Sequence, residues 1–215
     1  MSANRFDQAG EVISEGKTKI IFEYLNDETK VLIESKDDIT AGDGISKITI
    51  EGKGALVTAI TSNCFRLLNQ KGVPTHFIAQ ADYHVLHTKR LRMIPIEIVT
   101  RRIAYGSYLK RHTYEPKGKR FARPHVEFFF KDDAAHDPLM LWVPALGRYA
   151  LYKASVPIEN EGSKLGELSP SENPLLPQHE GDIDKLIELA TECFVIIEEA
   201  FARTGVTLVD LKIEC

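Results

Sequence analysis

The side chains in this sequence best suited to handling phosphate, carboxylate and amine groups fall in short, well-separated stretches. Gly16-Lys17-Thr18-Lys19 sets a glycine beside two ammonium groups and a hydroxyl. It is not a P-loop: Glu11 stands where that motif needs its first glycine, and the residues after Thr18 read as a strand, not a helix. What remains is a backbone that can approach a ligand, with lysines able to hold a polyphosphate over a strand. Lys17 and Lys19 point to opposite faces if the strand starts at once, whereas a turn at Gly16 converges them. An ordinary exposed lysine pair is the alternative. Lys36-Asp37-Asp38-Ile39-Thr40-Ala41-Gly42-Asp43-Gly44 then concentrates carboxylates, a hydroxyl and glycines. Such a loop can present Asp43 to a cation or an amine, or it can be a solvated acidic turn.

Later stretches extend the same chemistry. Arg101-Arg102-Ile103-Ala104-Tyr105-Gly106-Ser107 places arginines at a strand end, followed by a glycine and a hydroxyl, a plausible receptor for phosphate or carboxylate. Lys131-Asp132-Asp133-Ala134-Ala135-His136-Asp137-Pro138 packs carboxylates around a lysine and could hold magnesium. His136 is a poor candidate for that role, because hard cations take oxygen ligands. Near the end, Val209-Asp210-Leu211-Lys212-Ile213-Glu214 alternates, so Asp210, Lys212 and Glu214 share one strand face. That face is either a surface ion-pair ladder or the wall of a magnesium and phosphate site.

The elements that must position these groups follow from pattern. Glu11 to Ser14, Thr18 to Leu25 and Thr29 to Lys36 predict a small antiparallel sheet, with Asn26-Asp27-Glu28 as a turn. Asp38 to Gly44 reads as a polar loop. Leu56, Ile60, Cys64 and Leu67/Leu68 predict an amphipathic helix ending at Gly72, and Pro74 opens an extended segment. Met93 to Val99 and Val126 to Phe130 read as strands. Prolines from Pro144 to Pro177 mark a long loop spanning about 141–181. Ile183, Leu186, Ile187, Ala190, Phe194, Ile197 and Phe201 then form the stripe of a helix, with Asp182 to cap its start and Gly205 to end it, before a last strand over Thr207 to Glu214. The expected fold is α+β and two-lobed. A β-rich N-terminal lobe, 1–92, lies over a mixed α+β lobe, 93–215, with a ligand cleft between them.

The 215 residues, 43% hydrophobic and 27% charged, suit a globular protein with a substantial core. A net charge of −4 gives no general drive toward nucleic acid or anionic membrane, and the basic run Lys117 to Arg123 reads as a solvated face. No stretch reaches the ~20 apolar residues that span a bilayer. Cys64, Cys193 and Cys215 fit neither a disulfide framework nor a zinc site. Cys64 and Cys193 read as small core residues, and a reducing, cytoplasmic setting is expected.

In this order, EGKTK (15–19), SKDDITAGDG (35–44), MIPIEIVTRRIAYGS (93–107), FKDDAAHDP (130–138) and LVDLKIE (208–214) resemble the SAICAR synthetase family of purine-biosynthesis ligases. The resemblance implies an ATP- and Mg²⁺-dependent enzyme that joins L-aspartate to carboxyaminoimidazole ribonucleotide. Its partners would be those small molecules, with a homo-oligomer possible. Gly16, Lys17, Thr18 and Lys19 would hold the ATP phosphates, and Met93 to Glu97 would contact the adenine. Asp43, Arg101 and Ser107 would bind ribonucleotide or aspartate. Lys131, Asp137 and Lys212 would line the reacting centre, and Glu214 would hold magnesium. The family continues past the last strand with a further acidic ligand and an arginine, so this chain alone is expected to have weak ligase activity or none. A small-molecule kinase and a non-catalytic nucleotide-binding module are the competing readings. Aspartate-dependent ADP release separates the ligase from the kinase, and ATP binding without product marks the module.

Overall fold

The β-branched runs on either side of Asn26-Asp27-Glu28 fold into a hairpin in the computed structural model, which describes residues 7–41, 46–169 and 180–215. Strands β1 (Ala9–Glu15), β2 (Lys19–Tyr24) and β3 (Lys30–Ser35) pair antiparallel. At the turn, Asn26 takes a left-handed φ of 66°, and Asp27 Oδ1 accepts from the Thr29 amide at 3.0 Å. Strand β4 (Asp38–Ala41) pairs with β5 (Ser46–Thr49). The acidic stretch expected as a loop is thus strand at its start, while Gly42 to Ile45, Asp43 among them, lie outside the described residues.

Helix α1 (Lys53–Gln70) follows, and Gly72 closes it in a left-handed conformation at φ 90°. It packs on β3 and on two strands absent from the sequence reading except for the extended start after Pro74, β6 (Phe77–Asp82) and β7 (Val85–Lys89). The sheet order is β1-β2-β3-β7-β6. The expected apolar stripe holds at Leu68, which is buried, but fails in the first turns of α1: Leu56 is 67% exposed and Ile60 is 54% exposed, while Gly54, Thr58 and Ser62 are buried. Close approach decides this. A Cβ on Gly54 would run into the Ser35 carbonyl oxygen, and Thr58 donates to Ser35 Oγ at 3.0 Å, so small side chains seat the helix where larger ones cannot fit. Cys64 is accordingly only half-buried, whereas Cys193 is in the core.

The chain divides into two compact units, Met1–Arg92 and Met93–Cys215. The second is built on β8 (Ile96–Ile103), α2 (Ser107–Arg111), β9 (Arg120–Phe130), β10 (Leu139–Val143), β11 (Arg148–Tyr152), β12 (Lys164–Glu167), α3 (Glu180–Ala202) and β13 (Asp210–Glu214). Its antiparallel sheet runs β12-β11-β10-β9-β8-β13. Strands β11 and β12 lie inside the stretch expected as one long loop. Pro144 sits in the turn between β10 and β11 and Pro157 between β11 and β12, where Pro costs no ladder hydrogen bond, while Pro170, Pro174 and Pro177 lie outside the described residues. Helix α3 starts at Glu180, ahead of the expected cap Asp182, and its stripe Leu186, Ala190, Phe194 and Ile197 is buried. It meets Ile96, Ile98, Phe128 and Met140 to form the core of this unit. Among the described residues, no helix is long and apolar enough to cross a membrane.

Candidate functional site

Register gives the second unit a charged sheet face. Asp210 lies opposite Arg101, Lys212 opposite Val99 and Glu214 opposite Glu97, while across β8 Val99 faces Glu127 and Arg101 faces His125. Directly paired residues share a face and the side-chain period is two, so Glu97, Arg101, His125, Glu127, Asp210, Lys212 and Glu214 line one side of β9-β8-β13. Ile96, Ile98, Phe128 and Ile213 line the other side and meet α3. An alternating strand therefore seals a core on one face and presents a reactive surface on the other.

Two ion-pair centres organise this face. In the first, Glu97 Oε1 accepts from Lys131 Nζ at 2.8 Å and from Lys212 Nζ at 2.6 Å. Burial alone would raise the Glu97 carboxyl, but these two hydrogen bonds hold it below the usual carboxylate range. The hydrogen bond to Glu97 in turn raises Lys131. Asp137 Oδ2 lies 3.6 Å from the Lys131 ammonium, and Glu214 Oε1 lies 3.9 Å from that of Lys212. Lys131, Asp137, Lys212 and Glu214 thus come together as the sequence suggested. Asp132 caps a 3-10 turn over Asp133–Ala135 and takes its amides on Oδ1; His136 and Asp137 follow at φ 59° and 47°. That uncommon backbone aims the Asp137 carboxylate, whose Oδ1 accepts from the Asp132 amide at 3.0 Å.

In the second centre, Arg101 donates from Nε to Glu127 at 2.7 Å, from Nη1 to Asp210 at 2.6 Å and from Nη2 to Ser107 Oγ at 3.2 Å. Arg111 donates to the other Glu127 oxygen at 2.5 Å and to the Ala154 carbonyl at 2.6 Å. Burial pushes the Glu127 carboxyl up, and the two guanidinium groups outweigh it and bring it below its ordinary range. Burial also lowers His125, disfavouring a charged ring beside these cations. Neither Glu127 nor Arg111 was a sequence candidate. A signal was present for each: a lone carboxylate inside the apolar run Val126-Glu127-Phe128-Phe129, and an arginine four residues after Ser107, on the same side of one helical turn.

The first unit carries the other locus. Gly16 to Lys19 forms the β1–β2 turn, closed by the Gly16 amide donating to the Lys19 carbonyl at 2.9 Å. Lys36 Nζ, which the sequence reading left unassigned, ties the turn down through Glu15 Oε1 at 2.6 Å and the Gly16 carbonyl at 3.0 Å. Lys17 and Lys19 are exposed at its tip, and a Cβ at Gly16 would meet only the Lys19 carbonyl oxygen, at 3.9 Å, among the described residues. Met93 is half-exposed at the start of the second unit.

Among the described residues there is no cluster of three or more His, Cys, Asp or Glu able to hold a metal. Magnesium does not need one, since it takes one or two carboxylates and completes its shell with phosphates and water. Glu214, 43% exposed at its side chain and only loosely paired with Lys212, fits as such a ligand. Glu97, committed to two lysines, does not.

Residues 12–215 match the sequence profile of the SAICAR synthetase family. A phosphoribosylaminoimidazole-succinocarboxamide synthase from Roseiflexus castenholzii is 41% identical over 208 residues, covering 95% of this chain and 72% of that protein. One from Chloroflexus aurantiacus is 39% identical over 207 residues, covering 96% and 72%. Among solved structures, a SAICAR synthetase (Type-2) in complex with ADP superposes with a TM-score of 0.73 at 31% identity, covering 95% of this chain and 74% of that one. The phosphoribosylaminoimidazole-succinocarboxamide synthase from Ehrlichia chaffeensis gives 0.75 at 32%, with the same coverage.

Proposed function

The chain belongs to the SAICAR synthetase family, and from that premise we propose how its own residues carry out ATP-dependent joining of L-aspartate to carboxyaminoimidazole ribonucleotide. A carboxylate is a poor electrophile because attack must expel oxide. Its oxygen therefore attacks the γ-phosphorus of ATP, the bond to the ADP oxygen breaks, and an acyl phosphate forms. The aspartate amine then attacks the acyl carbon, inorganic phosphate leaves with the C–O electron pair, and a carboxylate, Asp137 or Asp43, takes the amine proton.

Each step brings anions together, so fixed cations carry the catalysis. The observation that supports this reading most is the pair Lys131 and Lys212, held on one oxygen of Glu97 at 2.8 and 2.6 Å. Each ammonium has three donors and gives only one to Glu97, so both keep donors for a transferring phosphoryl group. Arg101 and Ser107 suit the ribonucleotide phosphate. Gly16, Lys17, Thr18 and Lys19 suit the ATP phosphates, and Met93 with the backbone before Glu97 suits the adenine. Glu214 would help to hold Mg²⁺, which when bound would neutralise polyphosphate charge. A cytoplasmic setting belongs to the same proposal and agrees with three free thiols.

The test is ADP release by the purified chain with each substrate omitted in turn. Release that needs both L-aspartate and the ribonucleotide, and that falls at least about a hundredfold in Lys212→Ala, supports the ligase. Aspartate-independent release with a phosphorylated product would overturn it.

A further inference from the structure

We propose that Glu127 and Arg111 are positioning residues: they fix the Arg101 guanidinium and the Ser107 hydroxyl as one preassembled receptor for the ribonucleotide phosphate. The inference rests on the assignment of that phosphate to Arg101 and Ser107, and extends it to two residues that would not touch the ligand.

Arg101 is 4% exposed and Arg111 is 1% exposed. Their charges meet on a single carboxylate, Glu127, one guanidinium on each oxygen. Arg111 is also the last residue of α2, and Ser107 is the first. This single turn is therefore fastened to the sheet at both ends, through Ser107 to Arg101 and through Arg111 to Glu127. Too short to hold its shape alone, the turn takes its orientation from those two attachments. Gly106 enters it at φ 60° and ψ −131°, a conformation that side-chain-bearing residues avoid, so the chain also directs Ser107 from upstream.

A buried charge cluster is a poor device for stability alone, since its desolvation offsets much of its attraction. Arg111 bears that cost with its Nε atom left without an acceptor among the described residues. What the cluster does provide is geometry. With Nε on Glu127 and Nη1 on Asp210, Arg101 keeps one N–H on each terminal nitrogen, and the Ser107 hydroxyl hydrogen stays available because its oxygen is the acceptor. Those three donors are left for an anion, and Asp210, 46% exposed at its side chain, is the partner that can move aside.

The experiment measures binding by calorimetry on the full chain. The probe is the carboxamide analogue of the ribonucleotide, which keeps the ribose phosphate and cannot react; ADP is the control ligand. The double variant E127L/R111M replaces two of the three members of the buried cluster with apolar side chains of similar size and leaves Arg101 paired with Asp210. It is expected to stay folded with a lowered unfolding midpoint, because Arg101 Nε loses its acceptor, and to keep the ADP affinity while binding the analogue about tenfold more weakly, the loss of about one charge-assisted hydrogen bond. R101A should lose at least as much. If R101A weakens the analogue and E127L/R111M does not, the positioning role is overturned and the receptor stands. If R101A binds the analogue like the unaltered chain, the receptor assignment itself falls. Should the double variant fail to fold, R111K decides: it keeps charge without the fork, so wild-type analogue binding overturns the proposal and a selective loss supports it.

Discussion

Glu97 shows how one carboxylate can fix the cations around it. Its Oε1 gathers two ammonium groups that would otherwise repel, and both lysines gain a fixed position (2.8 and 2.6 Å) in return. Glu97→Gln keeps the shape and one acceptor but removes the charge. The substitution is expected to cost about 2 kcal/mol in urea unfolding, in the range for hydrogen bonds to charged groups, because the lysines remain half-exposed and partly screened. It should also lower kcat more than it raises KM, since misplaced ammoniums matter most when charge moves. A variant as stable and active as the unaltered chain would remove Glu97 from this role.

The same logic applies to elements held by residues distant in sequence. Helix α1 has no capping side chain of its own; Asp37 caps it, accepting from the Gly52 amide at 3.2 Å and the Gly54 amide at 2.7 Å. Asp37→Ala should cost about 1 kcal/mol, as lost caps do. Gly54→Ala is the sharper case, because helix propensity favours Ala over Gly by about 1 kcal/mol. Here the new methyl would meet the Ser35 carbonyl, a backbone atom that cannot step aside. Overpacking of about 1–3 kcal/mol should therefore reverse the sign, and a higher urea midpoint for Gly54→Ala would refute the close-packing account. These features explain what was and was not legible. Alternation and turn chemistry made β2, β3, β13 and α3 readable, since those signals are local. The buried face of α1 was not, because it depends on how near Ser35 comes, and apolar spacing points to Leu56 and Ile60 instead. Short strands such as β11 and β12 owe their existence to a neighbouring strand rather than to their own composition.

Across the whole molecule, the candidate site was legible where charges stand in recognisable stretches, buried Arg101 included, and hidden where a charge acts only through a distant partner. Lys131, Asp137, Lys212 and Glu214 stand out in sequence as charges near strand ends, whereas Glu127 and Arg111 act through each other and only the fold pairs them. That buried pairing makes stability depend on pH in the second unit, where the sole tryptophan, Trp142, stacks edge-on to Tyr149 at 5.1 Å and reports unfolding. Glu127 is depressed in the folded state below its ordinary value of 4.5, and so is Glu97. Above pH 4.5 both carboxyls are ionised whether the chain is folded or unfolded, and their pairings contribute in full. As pH falls from 4.5 through the folded values, the unfolded chain takes up protons first and stability declines. Tryptophan-detected urea midpoints should therefore drop steadily below pH 4.5 in the unaltered chain. In Glu127→Gln the starting stability is lower, but the slope over that window is shallower because one of the linked protonations is gone. Parallel profiles for the two proteins would mean that the Arg101–Glu127–Arg111 cluster does not hold its carboxylate ionised against acid.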